Sequence, residues 1–127
     1  MTAPVVTASK EIPIEDAAKL MFDNRIGSVV IVNDEGKIEG IVTERDMIYA
    51  IAKNKVGKGI PVYTIMTENP IIVDPDEPLI DAVRKMKEAK IRHLPVVKNS
   101  VPVGMVSLRD IIEVMAYLVS GGEHLGR

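Results

Sequence analysis

The chain has 127 residues, of which 46% are hydrophobic, and its formal net charge at pH 7 is −2. This length allows one globular unit or two small units that share a core, and the near-neutral charge supplies no basic field for nucleic acid. The sequence contains no cysteine, which excludes disulfides, thiolate catalysis and thiolate metal sites. Since there is no apolar run of membrane-spanning length and no signal-peptide pattern, we expect a cytoplasmic protein that does not associate with membranes.

The first half of the chain predicts a short strand, a helix, two strands and a second helix. Ile14, Ala17, Ala18 and Met21 recur at the spacing of one helical face, and Pro13 suits the first turn of that helix. The apolar run SVVIV follows, and NDEGK is typical of the turn of a β-hairpin. The segment RDMIYAIAK then favours a second helix.

The second half repeats this order about 65 residues later. PLIDAVRKM matches PIEDAAKLM, IRHLPVV matches IGSVVIV, and GMVSLRDII matches GIVTERDMI. Leu79, Ala82, Val83 and Met86 repeat the apolar stripe of the first helix, with Pro78 at its start. The turn KNS is a less clear hairpin signal than NDEGK, and RDIIEVMAYLV favours the last helix.

We divide the chain into a first unit at 1–53, a polar linker at 54–61, a second unit at 62–119 and a frayed tail at 120–127. One such unit buries too little surface to be comfortably stable alone, so the two copies should pack on each other. The simplest arrangement relates them by a pseudo-two-fold axis. His93 and His124 lie far apart in sequence without a neighbouring ligand motif, so we expect no metal site.

This tandem resembles a pair of cystathionine-β-synthase (CBS) domains, often called a Bateman module. The resemblance covers about residues 1–119 and rests on VYTIMTENPIIV, IRHLPVV, GIVTERD and GMVSLRD, which occur in order. It implies an α/β fold of two tandem β-α-β-β-α units packed about a pseudo-two-fold axis, with two clefts where the units meet. It also implies a regulatory module, not an enzyme, that needs no cofactor and senses AMP, ADP, ATP or S-adenosylmethionine in those clefts.

The repeated motif, GIVTERD in the first unit and GMVSLRD in the second, has two compatible interpretations. Thr43 and Ser107 precede helical segments, and Asp46 and Asp110 follow three residues later, which is the spacing of a capping box. A carboxylate at such a helix start can also accept hydrogen bonds from the two hydroxyls of a ribose, as acidic residues do in dinucleotide-binding folds. The resemblance implies the same ribose contact for the aspartate of this motif.

A nucleotide also needs cations for its phosphates, and Arg92 and His93 begin the predicted strand IRHLPVV. The alternative is that Arg92 points to water and His93 packs against the sheet. The resemblance places basic residues here opposite the phosphates. The complete candidate ligand-binding set is Ile41, Thr43, Asp46, Arg92, His93, Met105, Ser107 and Asp110.

The two clefts should differ chemically, because the first unit has Gly27 and Ser28 where the second has Arg92 and His93. A cleft that these two cations reach should bind phosphorylated adenosine more tightly. The sequence leaves open which aspartate shares that cleft.

Two other functions remain as alternatives. One is a structural association module with empty clefts, and the other is a nucleic-acid-binding module, against which the near-neutral charge and scarce aromatics argue. The second helices, around Met47–Ile51 and Ile111–Val119, carry more apolar residues than one internal face needs. We therefore predict a homodimer, and a regulated partner protein is a further possibility.

Overall fold

A computed structural model describes residues 5–121 of the chain. A 3₁₀ turn at Val62–Thr64 separates two groups of elements. The elements, in chain order, are β1 (Thr7–Ala8), α1 (Ile14–Asn24), β2 (Ser28–Val32), β3 (Ile38–Thr43), α2 (Glu44–Ala52), β4 (Thr67–Glu68), α3 (Leu79–Ala89), β5 (His93–Lys98), β6 (Val101–Ser107) and α4 (Leu108–Val119). This mixed order confirms the predicted α/β fold class. Of the predicted tail, only Ser120 and Gly121 lie inside the described range, and His124 lies outside it.

The first helix of each unit begins and ends in the same way. Pro13 and Pro78 are the N-caps of α1 and α3, where a residue without an amide proton loses no hydrogen bond. Arg25 and Lys90 end the two helices in the left-handed region, at φ 55° and 57°. The predicted apolar stripes are confirmed at their centres, although Leu79 at the start of the second stripe is 38% exposed.

Each unit contains one antiparallel hairpin. In the first, the Asn33 side chain accepts hydrogen bonds from the backbone amides of Glu35 at 2.9 Å and Lys37 at 3.0 Å, which confirms the turn at NDEGK. In the second, Asn99 and Ser100 both have positive φ, as a two-residue hairpin turn requires. A backbone hydrogen bond from Ile38 N to Ser100 O, 2.8 Å long, joins the two hairpins.

The start of the second unit differs from the expected single strand. β4 pairs antiparallel with β3 of the first unit, so its residues extend the sheet β1-β2-β3-β4. The second unit keeps only an isolated parallel bridge between Val73 and Val96. Asn69 at φ 47° and Pro70, which has no amide proton, interrupt the strand between these two pairings.

Gly40 permits the close approach of β4. A Cβ at this position would lie 2.8 Å from Met66 Sδ and 2.9 Å from the backbone oxygen of Thr67. Val62 and Ile65, which precede β4, are buried in the core of the first unit. Residues from the start of the predicted second unit therefore complete the first.

The two units pack through their hairpins. Val30 and Ile41 of the first hairpin form a buried cluster with Met105 of the second. The main cores of the two units lie on either side of this cluster, each between a hairpin and its helices. Across residues 5–121, no helix is both long enough and apolar enough to cross a membrane.

Candidate ligand-binding cleft

A cleft of about 1300 Å³ lies where the two units meet. Its volume is more than sufficient for a small organic ligand, because typical ligand pockets measure about 300–1,000 Å³. Both units contribute to its walls, which are lined by Val5, Val6, Met21, Phe22, Asp23, Arg25, Ile26, Gly27, Ser28, Glu44, Arg92, His93, Met105, Ser107, Leu108, Arg109, Asp110, Ile112 and Glu113.

Five of the eight residues predicted from the sequence line this cleft together. All five belong to the second unit. They lie close together because β5 and β6 pair in a register that sets His93 opposite Ser107. The five residues are Arg92, His93, Met105, Ser107 and Asp110. The other three, Ile41, Thr43 and Asp46, belong to the first copy of the motif and do not line this cleft.

Ser107 and Asp110 form a reciprocal capping box at the start of α4. The Ser107 amide donates to Asp110 Oδ2 at 3.1 Å, and the Asp110 amide donates to Ser107 Oγ at 3.1 Å. The capping interpretation is thus confirmed for this copy. Within residues 5–121, Asp110 Oδ1 accepts no hydrogen bond, so this oxygen can still accept one from a ligand.

The first copy of the motif is arranged differently. Asp46 Oδ2 accepts hydrogen bonds from both the amide of Thr43 at 2.9 Å and its hydroxyl at 3.2 Å. Burial raises the pKa of the Asp46 carboxyl, while the bonds from Thr43 act in the opposite direction. The repeated motif therefore forms two capping boxes, of which only the Ser107–Asp110 box lines the cleft described here.

His93 stands at the junction of the two units. Its side chain is partly buried, and this desolvation lowers the pKa of the imidazole. Arg92 also lowers that pKa, whereas the carboxylates of Glu44 and Asp110 act to raise it. His93 is therefore close to charged groups of both units, namely Glu44 of the first and Arg92 and Asp110 of the second.

Sequence reasoning missed the contribution of the first unit to this cleft. Phe22 and Arg25, at the end of α1, and Glu44, at the start of α2, line the cleft together with Asp110. The available signal was the small pair Gly27–Ser28 at the repeat position of Arg92–His93, because small residues leave room for side chains from the other unit. Among residues 5–121, no group of three or more His, Asp or Glu side chains is placed to hold a metal ion.

The sequence profile of the CBS domain matches residues 1–53 and 62–117, which together make up most of the chain. The chain belongs to the CBS domain family. The predicted resemblance is therefore confirmed, and the two hairpin-and-helix units are a CBS domain pair.

Solved CBS domain pairs have the same fold. The pair of protein MJ0100, in complex with 5′-methylthioadenosine and S-adenosyl-L-methionine, superposes with a TM-score of 0.84 at 34% identity, covering 91% of both chains. A CBS domain protein of Pyrobaculum aerophilum complexed with AMP superposes with a TM-score of 0.83 at 28% identity, covering 94% of this chain and 92% of that one. Members of the family thus bind adenosine compounds of different charge.

Sequence relatives include longer proteins. An uncharacterized protein of Methanocaldococcus jannaschii is 40% identical over 95% of this chain, which corresponds to 32% of that protein. A homoserine O-acetyltransferase of Methanosalsum zhilinae is 38% identical over 87% of this chain and 22% of its own length. The chain thus spans about a third or less of the length of these two relatives.

Proposed function

We propose that this CBS pair is a regulatory module that binds an adenosine-containing ligand in the cleft lined by Asp110, Ser107, Arg92 and His93. The observation that carries the proposal is the convergence of these four polar residues on one cleft between the units. The MJ0100 and Pyrobaculum aerophilum pairs, solved with S-adenosyl-L-methionine and with AMP, support the ligand class.

Each residue has a role that follows from its chemistry. Asp110 accepts hydrogen bonds from the ribose hydroxyls through the oxygen that the capping box leaves free. Arg92 is exposed beside the cleft and suits an anionic group of the ligand, because a guanidinium binds phosphate or carboxylate with two parallel hydrogen bonds. Met105, Val5 and Val6 supply apolar surface for the adenine ring.

Isothermal titration calorimetry with adenosine, AMP, ADP, ATP and S-adenosylmethionine tests this proposal. We expect saturable binding of at least one of these compounds, weaker binding of all of them in Asp110→Ala, and weaker binding of the phosphorylated compounds in Arg92→Ala. A protein that binds none of them would instead fit the alternative of a structural association module. The three residues of the first motif copy, Ile41, Thr43 and Asp46, stay a prediction for a second ligand site.

We further propose that the pair forms a homodimer through α2 and α4. The outer faces of these helices expose large apolar side chains, namely Ile48 and Ile51 on α2 and Met115, Leu118 and Val119 on α4. Exposed apolar patches of this kind are typical of protein interfaces. Light scattering at micromolar concentration should show a dimer for the native chain, and a monomer there would contradict the proposal.

A further inference from the structure

Glu44 is an acidic residue of the cleft that the repeated motif does not explain. It is the first residue of α2, and its amide donates to Gly27 O at 3.0 Å. The same backbone hydrogen bond recurs in the second unit, from Leu108 N to Arg92 O at 2.8 Å. Equivalent backbone positions therefore present a carboxylate in one unit and an apolar side chain in the other.

The Glu44 side chain extends over Gly27 towards the second unit. A Cβ added to Gly27 would overlap Glu44 Oε1 and would lie 2.8 Å from His93 Nε2. The ends of the Glu44 and His93 side chains thus converge on the space that the missing Cβ leaves. Because Glu44 belongs to the first unit and His93 to the second, this contact region spans the junction between them.

The cleft is lined by as many carboxylates as groups that can carry a positive charge. Arginines at 25, 92 and 109 and His93 face four carboxylates, those of Asp23, Glu44, Asp110 and Glu113. Arg109 Nε lies 3.5 Å from Glu113 Oε1, so these two charges offset each other. Glu44 forms no ion pair within 4.0 Å in the described part of the chain.

A carboxylate in this position acts on a ligand through its charge. Asp110 would hold the ribose, and the 5′ substituent would then extend towards Arg92 and His93, next to Glu44. A negative group there is repelled by Glu44, whereas a positive group is attracted to it. Arg92 can still bind a carboxylate or phosphate further out.

We propose that Glu44 is a selectivity residue that disfavours 5′-phosphorylated adenosine and favours an adenosine ligand with a positively charged group on its 5′ carbon. This inference rests on the proposed adenosine-binding function. It adds to that function the residue that would select between adenosine ligands according to the charge of their 5′ group.

The test compares Glu44→Gln with the native protein by calorimetry, using adenosine, AMP and S-adenosylmethionine at one pH and ionic strength. Adenosine binding should be unchanged. The affinity for AMP relative to adenosine should rise about fivefold, the upper end of what an exposed charge pair contributes in water. The affinity for S-adenosylmethionine relative to adenosine should fall by a similar factor.

Glu35→Gln is the matched control, because it removes the same charge at a residue that is paired with Lys37 and does not line the cleft. We expect both affinity ratios to stay at their native values in this variant. The selectivity role would be overturned if Glu44→Gln kept the native ratios of AMP and S-adenosylmethionine affinity to adenosine affinity. It would also be overturned if these ratios changed equally in the two variants. Either result would leave the proposed adenosine binding intact. If the native protein binds none of the three compounds, the proposed function itself is wrong and the inference falls with it.

Discussion

The variants Asp110→Ala and Asp46→Ala form a matched pair that separates helix capping from ligand binding. Each removes the carboxylate that accepts a hydrogen bond from the residue before a helix, at 3.1 Å from Ser107 N and at 2.9 Å from Thr43 N. Loss of an intramolecular hydrogen bond typically costs about 0.5–1.5 kcal/mol of stability. We therefore expect similar decreases in the free energy of unfolding for both variants.

Their effects on adenosine binding should differ, because only Asp110 lines the cleft. A hydrogen bond from a ribose hydroxyl to a carboxylate is worth about 1.5–3 kcal/mol. Since about 1.4 kcal/mol corresponds to a tenfold change, loss of one such bond weakens binding at least about tenfold. In Asp46→Ala, the adenosine affinity of this cleft should stay within about twofold of the native value, as expected for independent sites.

Chemical denaturation measures the stability of the two variants, and calorimetry with adenosine measures their affinity. The titrations should be run well below the midpoint of unfolding, so that both variants are folded. Equal loss of adenosine affinity in the two variants would refute the assignment of the ligand to the Asp110 cleft. Undiminished binding in Asp110→Ala would refute the ribose contact.

Three further changes and one assay test other parts of the structure. Arg92→Ala should weaken AMP binding at least about tenfold and adenosine binding little, because only AMP carries a phosphate for the guanidinium; equal losses in calorimetry would contradict this role. Gly40→Ala should destabilise the fold by about 1–3 kcal/mol in urea denaturation, because its Cβ meets Met66 and the backbone of Thr67; native stability would show that β4 can shift freely. Hydrogen bonding to its own backbone amide, and to the linker amides of Gly59 and Gly57, lowers the pKa of the Glu15 carboxyl. The ionised Glu15 carboxylate stabilises the fold above the pKa that it has in the unfolded chain, and this stabilisation is lost as the pH falls through its lower pKa in the folded protein. Glu15→Gln lacks this stabilisation at every pH. Its melting temperature should therefore fall less on acidification than that of the native protein. Finally, incubation with ATP should produce no sustained hydrolysis, and repeated turnover by pure protein would contradict a non-catalytic role.

The sequence alone determined the features that depend on short separations along the chain. The helical stripe of α1 could be predicted because its residues recur with the helical period, and the hairpin turn at NDEGK because Asn33 binds amides only two and four residues away. The two residues of the Ser107–Asp110 capping box are three positions apart, and the box needs nothing from the rest of the fold. The internal repeat then indicated two similar units and the family to which they belong.

Only the tertiary structure decided how the two units share residues. The pairing of β4 with β3 depends on Gly40 and on a chain interruption at Asn69 and Pro70, and no local periodicity indicates which sheet a two-residue strand will join. Likewise, Asp46 and Asp110 have nearly equivalent local sequences, but the packing of the hairpins brings only Asp110 together with Arg92 in this cleft. The proximity of Glu44 to His93 depends on the same packing, because the two residues belong to different units and their side chains converge over Gly27. Contacts between residues distant in sequence depend on how whole elements pack, and for that reason the repeated motif alone did not show which of its copies lines this cleft.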